Sequence, residues 1–244
     1  MVAHSGMPRF GALPCVSSAA MRLDSVQIGV ADLATGTAAY ALLIGSQPVE
    51  RPDGSRRFQL SPGAIELVLG DSDGIRSVRF VTEDGEDPPS LPVPVDGLTI
   101  LVEPPGPALP PVAAEAPVTA IDHVVVRSTN PDRAVALWRD RLGLRLALDR
   151  VFEDRGLRLL FFRSGGITLE YATPYPAAAT HDTDRLWGVS YRVGDLASHR
   201  ERLLAGGVDV SEIRVGMRPG TSVATVRSGS AGVPTLLLQL AEIA

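Results

Sequence analysis

The chain has no lysine: all 23 of its basic residues, in 244, are arginine. A Schiff-base lysine and a phosphate-loop lysine are thereby excluded. Cysteine is nearly absent as well. Cys15 stands alone, which leaves no intramolecular disulfide and no thiolate metal cage, and fits a reducing cytosol. No apolar run approaches the length of a membrane span. An excess of positive charge is missing too: the net charge of −5 argues against nucleic acid or an anionic membrane as a partner. What remains is ordinary for a globular protein, with 45% hydrophobic and 21% charged residues and length enough for two cores. Ser17-Ser18-Ala19-Ala20 has the look of a cleavage site, but Pro8, Arg9 and Pro14 interrupt any apolar core before it. Residues 1–21 therefore read as a disordered leader.

Against these absences stands an internal repeat. Leu23–Val30 runs into Asp32-Leu33-Ala34, Ile121–Val126 into Asn130-Pro131-Asp132, and Gly188–Val193 into Asp195-Leu196-Ala197. With Asp32, Asn130 and Asp195 set equivalent, Ser25, His123 and Gly188 fall on one position. Each copy is a strand that turns into a capped helix. The expected helices are Ala34–Leu43, ended near Gly45, Asp132–Arg141 with Pro131 at its first position, and Asp195–Leu204. Three short strands follow each helix, so the unit is βαβββ; the last begins with an expected strand Val208–Ile213. A second unit, from the strand Ile75–Thr82, is degenerate: residues 83–94 are acidic and proline-rich without a helical period, and only the strand Leu98–Val102 follows. Residues 104–118, rich in Pro and Ala, form a stiff linker. The expected organisation is α+β, with tandem units pairing into two half-barrel domains, 22–103 and 119–244.

One such unit cannot bury both faces of its curved sheet, whereas two side by side enclose a cavity into which alternate residues of each strand point. The first strand of each unit lies centrally. His123 on that strand and Glu170 on the last strand of unit three share inward parity and can hold a divalent metal. At the matching place in unit four Gly188 cannot coordinate, and the last strand offers Leu236 or Gln239 according to its register. Arg127 and Arg192 share the inward parity and suit a carboxylate- or phosphate-bearing substrate. Trp187 and Tyr171 fall on the opposite, helix-covered face. Arg218, in the Gly216–Thr221 turn, is a further candidate anion clamp, and His181 a loop residue able to supplement the metal site.

The ordered set of Leu/Ile-Asp-Ser/His-Val leading to Asp-Leu or Asn-Pro-Asp, Leu142-Gly143-Leu144 and Ile167-Thr168-Leu169-Glu170 resembles the vicinal oxygen chelate superfamily of glyoxalases, bleomycin-resistance proteins and extradiol dioxygenases. The resemblance covers the chain from Leu23 to Leu240. It implies a small-molecule substrate or ligand, a monomer or homodimer, and a divalent ion (Fe, Mn, Zn or Ni) on His123, Glu170 and Gln239. The 22–103 domain, with Ser25 and Glu66 at the matching positions, is expected to be metal-free. Two functional readings stay open. One is a metal-dependent isomerase, lyase or ring-cleaving dioxygenase, or its metal-free acid/base counterpart with Glu170 as base beside His123. The other is a metal-free protein that binds an antibiotic or aromatic compound.

Overall fold

The computed structural model describes residues 21–82, 87–89, 91, 94–106, 116–177 and 182–241. Cys15, His181, residues 1–20 of the expected leader and the centre of the linker lie outside them, while Met21, the leader's expected last residue, begins a strand. Unit one comprises β1 (Met21–Val30), α1 (Leu33–Ile44), β2 (Val49–Glu50), β3 (Arg56–Gln59) and β4 (Ala64–Leu69). Among the described residues unit two supplies β5 (Gly74–Thr82) and β6 (Ile100–Glu103), and the two units form one sheet ordered β2-β3-β4-β1-β5-β6. Unit three is β7 (Val118–Arg127), α2 (Pro131–Val135) continued by a π-helical stretch Ala136–Arg141, β8 (Arg145–Phe152), β9 (Leu157–Ser164) and β10 (Ile167–Pro174). Unit four is β11 (Arg185–Val193), α3 (Leu196–Ala205), β12 (Arg214–Val215), β13 (Thr221–Val226) and β14 (Thr235–Leu240). Units three and four form an eight-stranded sheet ordered β12-β13-β14-β11-β7-β10-β9-β8. Its centre is the antiparallel pair β7 and β11.

The helices start where the caps predict. Asp32, Asn130 and Asp195 each accept a hydrogen bond from the backbone N–H three residues on, which satisfies a donor the helix cannot. Gly45 ends α1 at φ 81°, a conformation that a side chain would strain. The third-unit helix departs from α geometry after one turn, and Leu142 N–H reaches back five residues to Leu137 O at 3.0 Å. The expected strand Val208–Ile213 is reduced to an isolated bridge at Val210. Ser211 Oγ there accepts the Thr225 N–H at 2.9 Å, a donor a regular ladder would have used.

The two sheets share one apolar core. Phe80 of β5 meets Trp138 of unit three at 5.4 Å between ring centroids, and the α1 hydroxyl of Tyr40 donates to Ser230 O in unit four. Tyr171 is buried beneath the third-unit helix and receives the indole N–H of Trp138, the helix-side placement its parity predicts.

Candidate functional site

The site begins at an irregularity of β7. Across from β11, His123 pairs with Ser190 and Ile121 with Tyr191, so Asp122 is an extra, unpaired residue: a β-bulge. A regular strand sends neighbours to opposite faces, but a bulge brings two of them to one side. Asp122 and His123 consequently touch, with His123 Nδ1 2.9 Å from Asp122 Oδ2. Arg192 Nε donates to the other oxygen, Oδ1, at 2.7 Å, and its Nη2 donates to Gly166 O at 3.2 Å. Burial opposes ionisation of Asp122, but the hydrogen bonds and charges of His123 and Arg192 outweigh it and hold the carboxyl well below the usual carboxylate range. An ionised carboxylate only accepts, so the Nδ1 of His123 carries the proton of that hydrogen bond and Nε2 is the nitrogen turned to the cavity.

Glu170 faces that nitrogen, its Oε2 3.9 Å from Nε2. Burial pushes its carboxyl up from the ordinary value; the charge of His123 works against the rise and that of Asp122 adds to it. The repeat supplies an internal control. Glu66 pairs with Gln27 on β1 as Glu170 pairs with Val125 on β7, and Asp24 is bulged out of β1 as Asp122 is from β7. In the first sheet, however, Arg57 stands opposite Glu66 and Arg79 opposite Ser25, and both guanidinium groups reach Glu66, at 3.3 and 3.6 Å. The positions of those two arginines are taken in the second sheet by Phe161 and Ser190. One half of the molecule neutralises its carboxylate with arginine. The other leaves it facing an imidazole across open space.

That space is a cavity of about 840 Å³. His123, Val125 and Arg127 of β7 and Glu170 and Ala172 of β10 form one wall; Val189 of β11 and Leu236 of β14 form the other. Leu236 is therefore the inward residue of the last strand. Gln239, expected as a third metal ligand, turns away and accepts the Leu196 N–H at the start of α3 at 2.9 Å. Position 188 admits no side chain at all, since a Cβ there would lie 2.7 Å from Pro234 O. Among the described residues no group of three or more His, Cys, Asp or Glu side chains is placed to hold a metal ion. Among the described residues the donors on the cavity wall are His123 and Glu170, and with Gln239 turned away they do not complete the three-ligand set that the resemblance implies.

The arginines separate. Arg127 lines the cavity, its guanidinium 4.3 Å above the Trp187 ring. Arg192 is committed to Asp122 instead of a substrate. Arg218 does not line the cavity; its carbonyl accepts the Thr221 hydroxyl, and the cavity is met in that turn by Met217. Trp187 was expected on the outer face, yet it lines the cavity: β11 slips register between Leu186 and Gly188, which leaves Trp187 as a second bulge and reverses its parity. Sequence reasoning missed Asp122, Ser190 and Arg185. The recurrence of an Asp just before Ser25 and His123 was the available signal for the first.

Residues 122–225 match the sequence model of the Glyoxalase/Bleomycin resistance protein/Dioxygenase superfamily. Among solved structures, the Mn(II)-bound glyoxalase from Novosphingobium aromaticivorans is similar over 93% of this chain and 84% of its own, at 17% identity and a TM-score of 0.66. BphC, a halotolerant catechol dioxygenase, is similar over 93% of this chain and 90% of its own, at 13% identity and a TM-score of 0.68. At such identities the likeness is one of fold. A search of curated proteins returned no match. No helix among the described residues is long and apolar enough to cross a membrane.

Proposed function

We propose that the cavity of the second sheet, in a chain whose residues 122–225 match the sequence model of the glyoxalase, bleomycin resistance protein and dioxygenase superfamily, binds a small organic molecule and moves a proton on it, in an isomerase- or lyase-type step. The observation that carries this reading is the contrast between the two halves. Glu66 is closed off by two arginines, whereas Glu170 is desolvated and free of them, facing only His123. A carboxylate held in a poorly solvated cavity is a stronger base than one in water, which brings it nearer the working pH of a general base.

In this reading Glu170 takes a proton from a carbon beside a carbonyl of the bound molecule, and the electron pair left behind moves onto the carbonyl oxygen. The proton then returns, to the same carbon or to a neighbour, from Glu170 or from His123 once its Nε2 has accepted it. Asp122 and Arg192 act on His123, keeping its Nδ1 proton and ring orientation fixed. No step is assigned to a divalent metal, because among the described residues the donor set is His123 and Glu170 alone. For the same reason a ring-cleaving dioxygenase is disfavoured: the second wall supplies Gly188 and Leu236 where that chemistry asks for ligands.

The test is solvent deuterium wash-in, followed by proton NMR over a panel of 2-oxo and 3-oxo carboxylic acids, with the metal content of each sample measured by mass spectrometry. The wild type is expected to exchange at least one of them and Glu170→Gln none. Stoichiometric metal that disappears in His123→Ala would replace this reading with a metal-dependent one. The second reading, capture of an aromatic compound without turnover, is favoured by the ring of Trp187 in the cavity wall. Tight binding of aromatic ligands with no exchange in any variant would establish it.

A further inference from the structure

Resting on the reading of the Glu170 cavity above, we propose that the cavity mouth is an anion site in which Arg127 and Arg185 hold a carboxylate or phosphate group of the substrate.

Arg127 and Arg185 are direct partners across the antiparallel strands β7 and β11. Side chains so placed start about 5 Å apart, and like charges there repel. Two other arginines of this sheet meet carboxylates: Arg158 reaches Asp149 at 2.7 Å, and Arg192 reaches Asp122 at 2.7 Å. Neither Arg127 nor Arg185 has a carboxylate within ion-pair distance among the described residues. Both line the cavity, and Arg214 from β12 lines it as a third arginine. Trp187, bulged out of β11 two residues after Arg185, lies under the Arg127 guanidinium and holds that group over the cavity. Two planar forks on one opening, neither in an ion pair among the described residues although Asp182 also lines the cavity, are suited to bidentate capture of a carboxylate or phosphate.

The register sets the length of the ligand. Val125 lies beside Glu170 and Arg127 beside Ala172, so the arginine row is two residues, roughly 7 Å, from the base along the strand. The substrate class is therefore a compact oxo compound bearing a carboxylate or a phosphate ester a few bonds from the proton that Glu170 removes.

Inorganic phosphate and malonate, titrated calorimetrically and by quenching of Trp187 fluorescence against a chloride background, probe the site directly. The wild type is expected to bind at least one of them: phosphate alone assigns the phosphate-ester class, malonate alone the carboxylate class, and both together the shared site. Arg185→Gln and Arg127→Gln should each weaken binding about tenfold or more, and Arg185→Lys less than Arg185→Gln. Glu170→Gln should retain anion binding, so a failure of proton exchange with anion binding intact would count against the catalytic reading alone. Absence of binding by either anion, or Gln variants that bind as the wild type does, would overturn the proposal.

Discussion

Replacing Asp122 with Asn isolates the residue that orients the imidazole. In the wild type its carboxylate accepts from Arg192 at 2.7 Å and from His123 at 2.9 Å, with only 14% of the side chain exposed. Hydrogen bonds to a charged group contribute roughly 1.5–3 kcal/mol each. The amide keeps one acceptor oxygen and can still serve Arg192, so about one such bond is lost and the expected destabilisation is roughly 2 kcal/mol. For a chain of this size that lowers Tm by about 4–8 °C. The sign of the pH dependence follows from the direction of the Asp122 shift. A carboxyl whose folded pKa is depressed stabilises the fold above the ordinary carboxylate value of about 4, and that contribution is lost as pH falls toward the depressed value. Urea unfolding should therefore show the full gap between wild type and Asp122→Asn at pH 7 and at pH 5, narrowing only below about pH 4. Long-range proton–nitrogen spectra read the same event at His123: the Nδ1–H tautomer in the wild type, and a mixed or Nε2–H population in the variant, since the amide N–H can donate to Nδ1. A wild-type spectrum with the proton on Nε2, or a stability gap that persists unchanged at low pH, would refute the reasoning.

Further consequences are measurable, the stability changes among them without a known ligand. Gly188→Ala should cost about 1–3 kcal/mol in urea unfolding, because the added Cβ meets a backbone oxygen that cannot swing aside. Arg57→Met removes a cation from a buried ion-pair network and leaves Glu66 short of charge compensation; a loss of roughly 3–5 kcal/mol is expected by denaturation, with exchange chemistry in the other half unchanged. For any substrate found by wash-in, Glu170→Gln should slow exchange by about 10²–10⁴. The acid limb of the wild-type pH profile should lie above the ordinary carboxylate value, since the base works only when ionised and its pKa is raised.

Much of this molecule is legible in its residues because the repeat carries its own check. The alignment that places Ser25 with His123 also places Asp24 with Asp122, and the structure bulges both aspartates out of their strands. Cap residues mark the helix starts, since an unpaired N–H must be answered locally. Inward parity brings His123 to Glu170 and puts Tyr171 under a helix. Parity fails wherever an extra residue enters a strand, and Trp187 is such a residue. It also fails to say who competes for a side chain: Arg192 shares the inward parity, but Asp122 takes its guanidinium. The choice between Leu236 and Gln239 was open in an apolar run with two workable registers. It closes through Ser190, which pairs with both His123 and Leu236.

Carboxyl carbon NMR of the wild-type protein, with Glu170 identified by its loss in Glu170→Gln, tests the central claim most directly. A desolvated carboxylate facing a lone imidazole should titrate above the ordinary glutamate value. A midpoint at or below that value, as arginine pairing or a bound cation would impose, would contradict it.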